Sequence, residues 1–414
     1  MAKHDDEALL DTAADLATPE VWRDAEPAPR QFVVNVTAFA ERARREEERA
    51  VTICDEALSG PSSWWAQRLR KIPDSSTAGV VKELLERWRH MVRSTPANAL
   101  HVTALAIQVA NALDIAEYPC DYVVKLRAQA YRDHAFVLSF MGRHPEALEF
   151  VERSKRLFDQ VPLPEYDLAR LGVVKASILR EVDRAEEAIS VAREAADVFH
   201  RFGDNTRSAN ARLVEASALY ECRSVREALG VFLQLDGDPA LDEFASVMVK
   251  HSIAMCHADL GQPELAAEGF QRCVAEYEIL GMETERTRAR WRLGHALFVS
   301  GRTLESIPVL RTAWRELEQF EMASDAAVAA LELAEALLVA GQPDEVPVIC
   351  RDVISLFTRT GMASRALTAL SFLREAVAIG QATPSLVRHV HTFLRELPKE
   401  QPRLFAPPPR GMGE

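Results

Sequence analysis

The sequence predicts an all-α protein, a right-handed superhelical solenoid of about eight helix hairpins with an irregular N-terminal helical cap. Three observations favour this fold: a phrase that recurs about every 40 residues, a small residue at a fixed distance before each copy, and only 17 glycines among 414 residues. Glycine is a poor helix former, so its scarcity favours helix. Hydrophobic residues make up 48% and charged residues 27% of the chain, which is typical of a folded protein.

The recurring phrase begins with a turn residue and usually ends on a small residue five places later, as in Gly142 to Ala147. We call this last residue the anchor of its repeat. The seven anchors are Ala147, Ala188, Ala228, Ala266, Ser306, Val346 and Ser385. Such a steady period predicts stacked hairpins that share one continuous core with their neighbours.

A second mark lies twelve residues before each anchor, where six of the seven residues are Ala or Gly. These residues are Ala135, Ala176, Ala216, Ala254, Gly294, Ala334 and Leu373. Two helices approach closely only where small side chains let their backbones meet. Each repeat is therefore predicted to be a hairpin whose two helices cross at this pair of residues.

A third mark is an aromatic residue four places before a glycine at the end of the second helix, as at Phe199 and Tyr277. Glycine suits a helix end that turns through the left-handed region. The fifth repeat has Leu317 and Glu321 at these two places, which predicts an irregular turn there.

The segment WRLGHALFVSGRTLES, which ends on the anchor Ser306, has a small residue at position 8 and Gly at position 15 when the anchor is position 20. This pattern resembles the tetratricopeptide repeat (TPR). The usual TPR period is about 34 residues, whereas this one is near 40. The longer variant is similar to the repeats of bacterial regulators, including quorum-sensing peptide receptors and the sensor regions of large transcriptional activators. The resemblance covers about residues 121–397 and implies a TPR-like solenoid that binds proteins or peptides.

The chain divides into four predicted parts. Residues 1–75 form a helical cap with linkers, including a helix over 31–58, and residues 76–120 form a degenerate hairpin. Seven TPR-like repeats follow over 121–397, and the proline-rich tail 398–414 is predicted to be disordered.

Composition excludes several classes of function. A net charge of −13 disfavours nucleic acid as a partner, and no apolar run is long enough to span a membrane. The acidic start lacks the apolar core of a signal peptide, so we expect a cytoplasmic protein. The six cysteines form no CxxC pair, and the first 75 residues show no helix-turn-helix, so neither a zinc site nor a DNA-binding domain is predicted.

No catalytic or cofactor motif is present. The sequence lacks GxxxxGK[ST], GxGxxG and HExxH. His389 and His391 diverge on a helix and cannot share a metal, and Cys256 diverges from His257 in the same way. We therefore predict no enzyme, no metal and no cofactor, with Cys256 as a buried thiol.

The TPR resemblance implies that positions 2, 5, 9, 12 and 13 of each first helix line a concave groove, here called the inner face. The predicted binding residues at these positions are Arg132, Phe136, Arg170, Arg180, Asn210, Tyr220, His251, Arg288, Trp291 and His295. Arginine pairs with carboxylates, and aromatic residues often dominate binding energy. Four arginines on the inner face of an acidic protein predict an acidic peptide or protein segment as the partner.

Three functions fit this pattern. The first is a non-catalytic adaptor or regulatory scaffold that holds a protein or peptide in the groove. The second is a peptide-gated receptor whose superhelix changes pitch on binding, and the third is an enzyme with an atypical site. Against any binding function stands a plain alternative, in which the inner face is simply mixed in character and Trp291 fills a helix crossing.

Overall fold

The computed structural model describes residues 30–359, 370–371, 373–376, 380 and 382–396. Across these residues the only regular structure is helical, which confirms the all-α prediction. The predicted tail 398–414 and most of the segment before the helix at 31–58 lie outside the described residues. The chain forms two compact units that meet at Pro164 and Glu165, and each is described separately.

From Arg30 onward, the described part of the N-terminal unit consists of a long helix, a short helix and two helix hairpins. Its helices are α1 Arg30–Ala57, α2 Trp65–Leu69, α3 Ala78–Met91, α4 Pro96–Ala112, α5 Cys120–Phe140 and α6 His144–Phe158. Helix α1 occupies the region predicted as helix, and it packs on α3. Helices α3 and α4 pack together within the span predicted as a degenerate hairpin, and α5 and α6 pack together in the span of the first predicted repeat.

The described residues of the C-terminal unit form five helix pairs and one further helix. Its helices are α7 Glu165–Glu181, α8 Ala185–Arg201, α9 Asn205–Glu221, α10 Val225–Leu235, α11 Glu243–Asp259, α12 Pro263–Ile279, α13 Glu283–Val299, α14 Thr303–Gln319, α15 Ala323–Val339, α16 Val346–Arg359 and α17 Pro384–Glu396. Each first helix packs on its own second helix, and α7 contacts α9, α9 contacts α11, and α13 contacts α15. The first helices therefore form a layer of their own.

The small residues lie where the sequence predicts, at the crossings inside the hairpins. The anchors from Ala147 to Val346 are fully buried, and so are their partners from Ala135 to Ala334. At Gly294 a Cβ atom would lie only 2.7 Å from Cγ of Leu310, so even alanine would require a shift there. The seventh anchor differs, because Ser385 is exposed at the start of α17.

The turns after α8, α12 and α14 share one geometry. Gly281 has φ of 68°, and the amide of Met282 donates to the carbonyl of Tyr277 at 2.9 Å. The prediction of an irregular turn in the fifth repeat is wrong. Glu321 adopts φ of 56°, and the amide of Met322 donates to the carbonyl of Leu317 at 3.0 Å, as in the turns that contain glycine. A non-glycine residue in this region costs about 1–2 kcal/mol, which the surrounding packing outweighs.

The crossing at Ala216 provides a test of the repeat register. Replacing the buried Ala216 with Trp overpacks the contact between α9 and α10, so we expect the free energy of unfolding to fall by about 1–3 kcal/mol or more in urea titrations. The matched control is Glu187→Trp, which places the same side chain at an exposed position. Equal urea midpoints for the two variants would refute the register.

Candidate functional site

Two predicted binding residues, Arg132 and Phe136, lie on α5 in the N-terminal unit. Arg132 is only 4% exposed, and its Nε and Nη2 lie 2.7 and 2.6 Å from Oδ1 of Asp133. Trp88 donates to the other oxygen of the same carboxylate at 3.0 Å. The expectation of a solvent-facing cation is therefore wrong for Arg132, whereas Phe136 is partly exposed and stacks on Trp88 at 5.4 Å.

The C-terminal unit contains a cavity of about 870 Å³ on its inner face. Its walls are formed by the C-terminal ends of α7 and α9, the turns that follow them, the first turn of α8, and parts of α11 and α13. It brings together two of the predicted residues, Arg180 and Tyr220, with Met255 and Arg292. Below, "the cavity" refers to this site.

Polar contacts in the cavity join consecutive repeats. The guanidinium of Arg180 on α7 donates to Glu221 on α9, with Nε 3.1 Å from each carboxylate oxygen. The hydroxyl of Tyr220 donates to Oδ2 of Asp259 on α11 at 2.6 Å. Burial, and then this bond, raise the pKa of Tyr220, so it remains a hydrogen-bond donor near neutral pH. The walls are thus held by bonds between residues about one repeat apart.

The cavity carries both signs of charge. Its basic lining residues are Arg180, Arg184, Arg223 and Arg292, and its acidic ones are Glu181, Asp183, Glu186, Glu187, Glu221 and Asp259. Six carboxylates face four guanidinium groups, so the cavity is not the positive patch that the arginine positions alone predict. Its groups can instead pair with both cations and anions of a ligand.

Four other predicted residues do not line the cavity. Asn210 is exposed on α9, and Arg170 is half-buried on α7. Arg288 is exposed on α13, and its Nε lies 3.7 Å from Asp325 on α15. His251 on α11 lies between the rings of Phe270 and Tyr277, and burial, followed by the charges of two arginines, lowers its pKa to about 4.

Trp291 and His295 on α13 belong to a second cluster, centred on Glu332 of α15. The indole Nε1 of Trp291 donates to Oε2 of Glu332 at 2.8 Å, and Nδ1 of His295 lies 3.1 Å from Oε1. Nε2 of His391 on α17 lies 3.7 Å from Oε1. Burial by itself would raise the pKa of Glu332, but these neighbours hold it below its usual value. We call this the Glu332 cluster.

Several residues of these sites were not singled out from the sequence. Glu221 and Asp259 occupy position 13 of their repeats, so the same spacing rule could have found them. Arg292 and Glu332 occupy position 6, which neighbours positions 2 and 9 on the same helical face. Sequence reasoning missed the three carboxylates because it favoured cations and aromatics, and it missed Arg292 because position 6 was not among the positions considered.

The described residues offer little for metal or thiol chemistry. Among them, no group of three or more His, Cys, Asp and Glu side chains could hold a metal ion. Cys256 is buried as predicted, and burial raises its pKa to about 11, so the thiol is unreactive near neutral pH. Within the same residues, no helix has both the length and the apolarity needed to cross a membrane.

No protein-family model and no curated protein matches the chain. Several solved structures are similar to this chain. The apo form of RapI matches with a TM-score of 0.51 at 12% identity, over 65% of this chain and 96% of RapI. The apo quorum sensor NprR from B. thuringiensis matches with 0.53 at 9% identity, over 82% of this chain and 99% of NprR.

A Signal Transduction ATPase with Numerous Domains protein with a tetratricopeptide repeat sensor, from Pyrococcus horikoshii, matches with a TM-score of 0.56 at 13% identity. The match covers 79% of this chain but only 54% of that protein. These similarities show the fold, and they confirm the resemblance to TPR-like repeats of regulators.

The Glu332 cluster predicts that replacing Glu332 with alanine destabilises the protein far more than the same replacement at an exposed glutamate. Glu332→Ala leaves Trp291 and His295 without their buried acceptor, so we expect the free energy of unfolding to fall by about 3–5 kcal/mol in urea titrations. The control Glu305→Ala removes an exposed partner of Arg302 and should leave stability nearly unchanged. Similar losses in both variants would show that the cluster does not stabilise the fold.

Proposed function

We propose that this chain is a non-catalytic regulatory protein that binds a short peptide in the cavity. The observation that carries the proposal is a cavity of about 870 Å³ that presents guanidinium, carboxylate and phenol groups on a rigid helical framework. Sites for small ligands commonly measure about 300–1,000 Å³, and the volume of this cavity lies within that range. The similarity in fold to a protein described as a quorum sensor supports a regulatory role.

The charges in the cavity favour a particular kind of peptide. A short peptide carries an ammonium group at one end and a carboxylate at the other. Asp259 and Glu221 can pair with an ammonium group, and Arg180 and Arg292 can pair with a carboxylate. A ligand with both signs therefore fits better than the wholly acidic segment expected from the sequence. The proposal includes a cytoplasmic location, where such a peptide would meet the protein.

The chain acts either as an adaptor, which holds its ligand without changing shape, or as a peptide-gated receptor. The hydrogen bonds from Arg180 to Glu221 and from Tyr220 to Asp259 join neighbouring repeats across the cavity wall. A ligand that breaks these bonds alters the contact between repeats, which favours the receptor. Hydrogen exchange of the backbone amides in α9 and α11, measured with and without ligand, distinguishes the adaptor from the peptide-gated receptor.

Selection from a random decapeptide library against the intact protein, followed by calorimetric titration of the best peptide, tests the proposal. We expect Arg180→Gln and Arg292→Gln each to weaken binding about tenfold or more, because each removes a charged hydrogen-bond donor from the cavity. The matched control is Arg201→Gln, since Arg201 is 64% exposed at the end of α8 and does not line the cavity. Arg193 is a poor control, because it pairs with the buried Glu215.

Selected peptides should bind the control as tightly as the unaltered protein. The proposal is wrong if no peptide binds, or if the two cavity variants bind selected peptides with unchanged affinity.

A further inference from the structure

The final helix, α17, packs against the first helix of the sixth repeat, α15. Its buried apolar side chains follow helical spacing along one face, and they are Leu386, Val387, Val390, Phe393 and Leu394. These side chains belong to the same buried cluster as Trp291 of α13 and Leu331 of α15. Helix α17 therefore covers an apolar surface to which two successive repeats contribute.

One edge of α17 carries basic groups that meet buried carboxylates. Nη2 and Nε of Arg388 lie 2.5 and 2.9 Å from Oε1 of Glu335, and His391 approaches Glu332. Glu332 and Glu335 are only 5% and 4% exposed, whereas the Arg388 side chain is 63% exposed. A buried carboxylate is costly unless it is paired, so this surface needs an occupant with cationic groups at these places.

The covered surface continues the inner face that lines the cavity. Met255, which lines the cavity, occupies position 9 of its repeat, and His295 and Glu335 occupy position 9 of the next two. The exposed anchor Ser385 indicates that α17 does not make the crossing that anchors the earlier repeats. Helix α17 thus lies where the proposed function places a ligand surface, and this step of the argument rests on that function.

We propose that the face of α13 and α15 is a binding surface for an amphipathic helix with an apolar stripe and a basic edge. Helix α17 is its internal occupant, and a partner helix of the same chemistry displaces it. Tethering gives α17 an effective concentration on the order of millimolar, so only a partner that binds well can compete. A 13-residue helix has marginal stability alone, so α17 depends on this surface for its helical structure.

A fluorescent synthetic peptide of residues 384–396, titrated into the full-length protein by anisotropy, tests this proposal. In the full-length variant Val390→Asp, an unpaired carboxylate enters the buried apolar face of α17 and releases the helix. We expect the peptide to bind this variant at least tenfold more tightly than the unaltered protein. The matched control Thr392→Asp alters an exposed position of the same helix and should bind as weakly as the unaltered protein.

The basic edge is tested by the peptide with Arg388→Glu, which should bind Val390→Asp protein at least tenfold more weakly than the original peptide. If Val390→Asp fails to fold, as judged by its thermal melt, full-length Arg388→Glu serves as the released form, with the same expected gain in binding. A folded, released variant that does not bind the peptide overturns the proposal. Equal binding of the peptide to the released variant and to the unaltered protein also overturns it. The proposal is likewise wrong if the unaltered protein is a dimer and Val390→Asp makes it a monomer, since α17 would then be exchanged between two copies of the chain.

The cavity variant Arg180→Gln separates this proposal from the proposed function. The hydrogen bonds of Arg180 go to Glu221 on α9, so Arg180→Gln combined with Val390→Asp should bind the α17 peptide with unchanged affinity. If the cavity binds no peptide, binding of the α17 peptide can therefore still be measured. If the α17 peptide does not bind, the measurement of peptide binding in the cavity is unaffected.

Discussion

The close crossing of the two helices in each hairpin is the constraint on which the rest of the structure depends. Buried alanines at Ala176 and Ala188, or at Ala216 and Ala228, let the two backbones approach, and at Gly294 even a Cβ atom has no room. Because the crossing recurs at nearly constant intervals, residues at equivalent positions face the same way in successive repeats. The cavity and the surface beneath α17 both follow from this regular placement.

The same regularity explains why charge counts misled the sequence analysis. Arg180 occupies position 12 of its repeat and Glu221 occupies position 13 of the next, so the two side chains meet across the contact between repeats. Arg132 is neutralised more locally, by the aspartate that follows it in the chain. In such an array, the positive electrostatic potential around a cation on the inner face depends on whether the next repeat places a carboxylate beside it.

The sequence predicted the helical fold and the hairpin register because both depend on local, periodic packing. It could not predict the Glu332 cluster, which joins Trp291 to a residue 41 positions later and to His391 on the final helix. It also could not show that α17 covers the face of α15, since that contact depends on how the last helix folds back. Glu321 illustrates a local failure, because packing forces a left-handed turn on a residue that does not favour it.

Hydrogen exchange of the full-length protein with and without a selected peptide tests the central claim, that ligands bind the layer formed by the first helices. We expect slower exchange in the last turns of α7 and α9, in the first turn of α8 and in α11, with no change in α10, α12 and the later turns of α8. Slower exchange confined to α10, α12 and the later turns of α8 would contradict the claim, since the ligand would then bind the opposite layer.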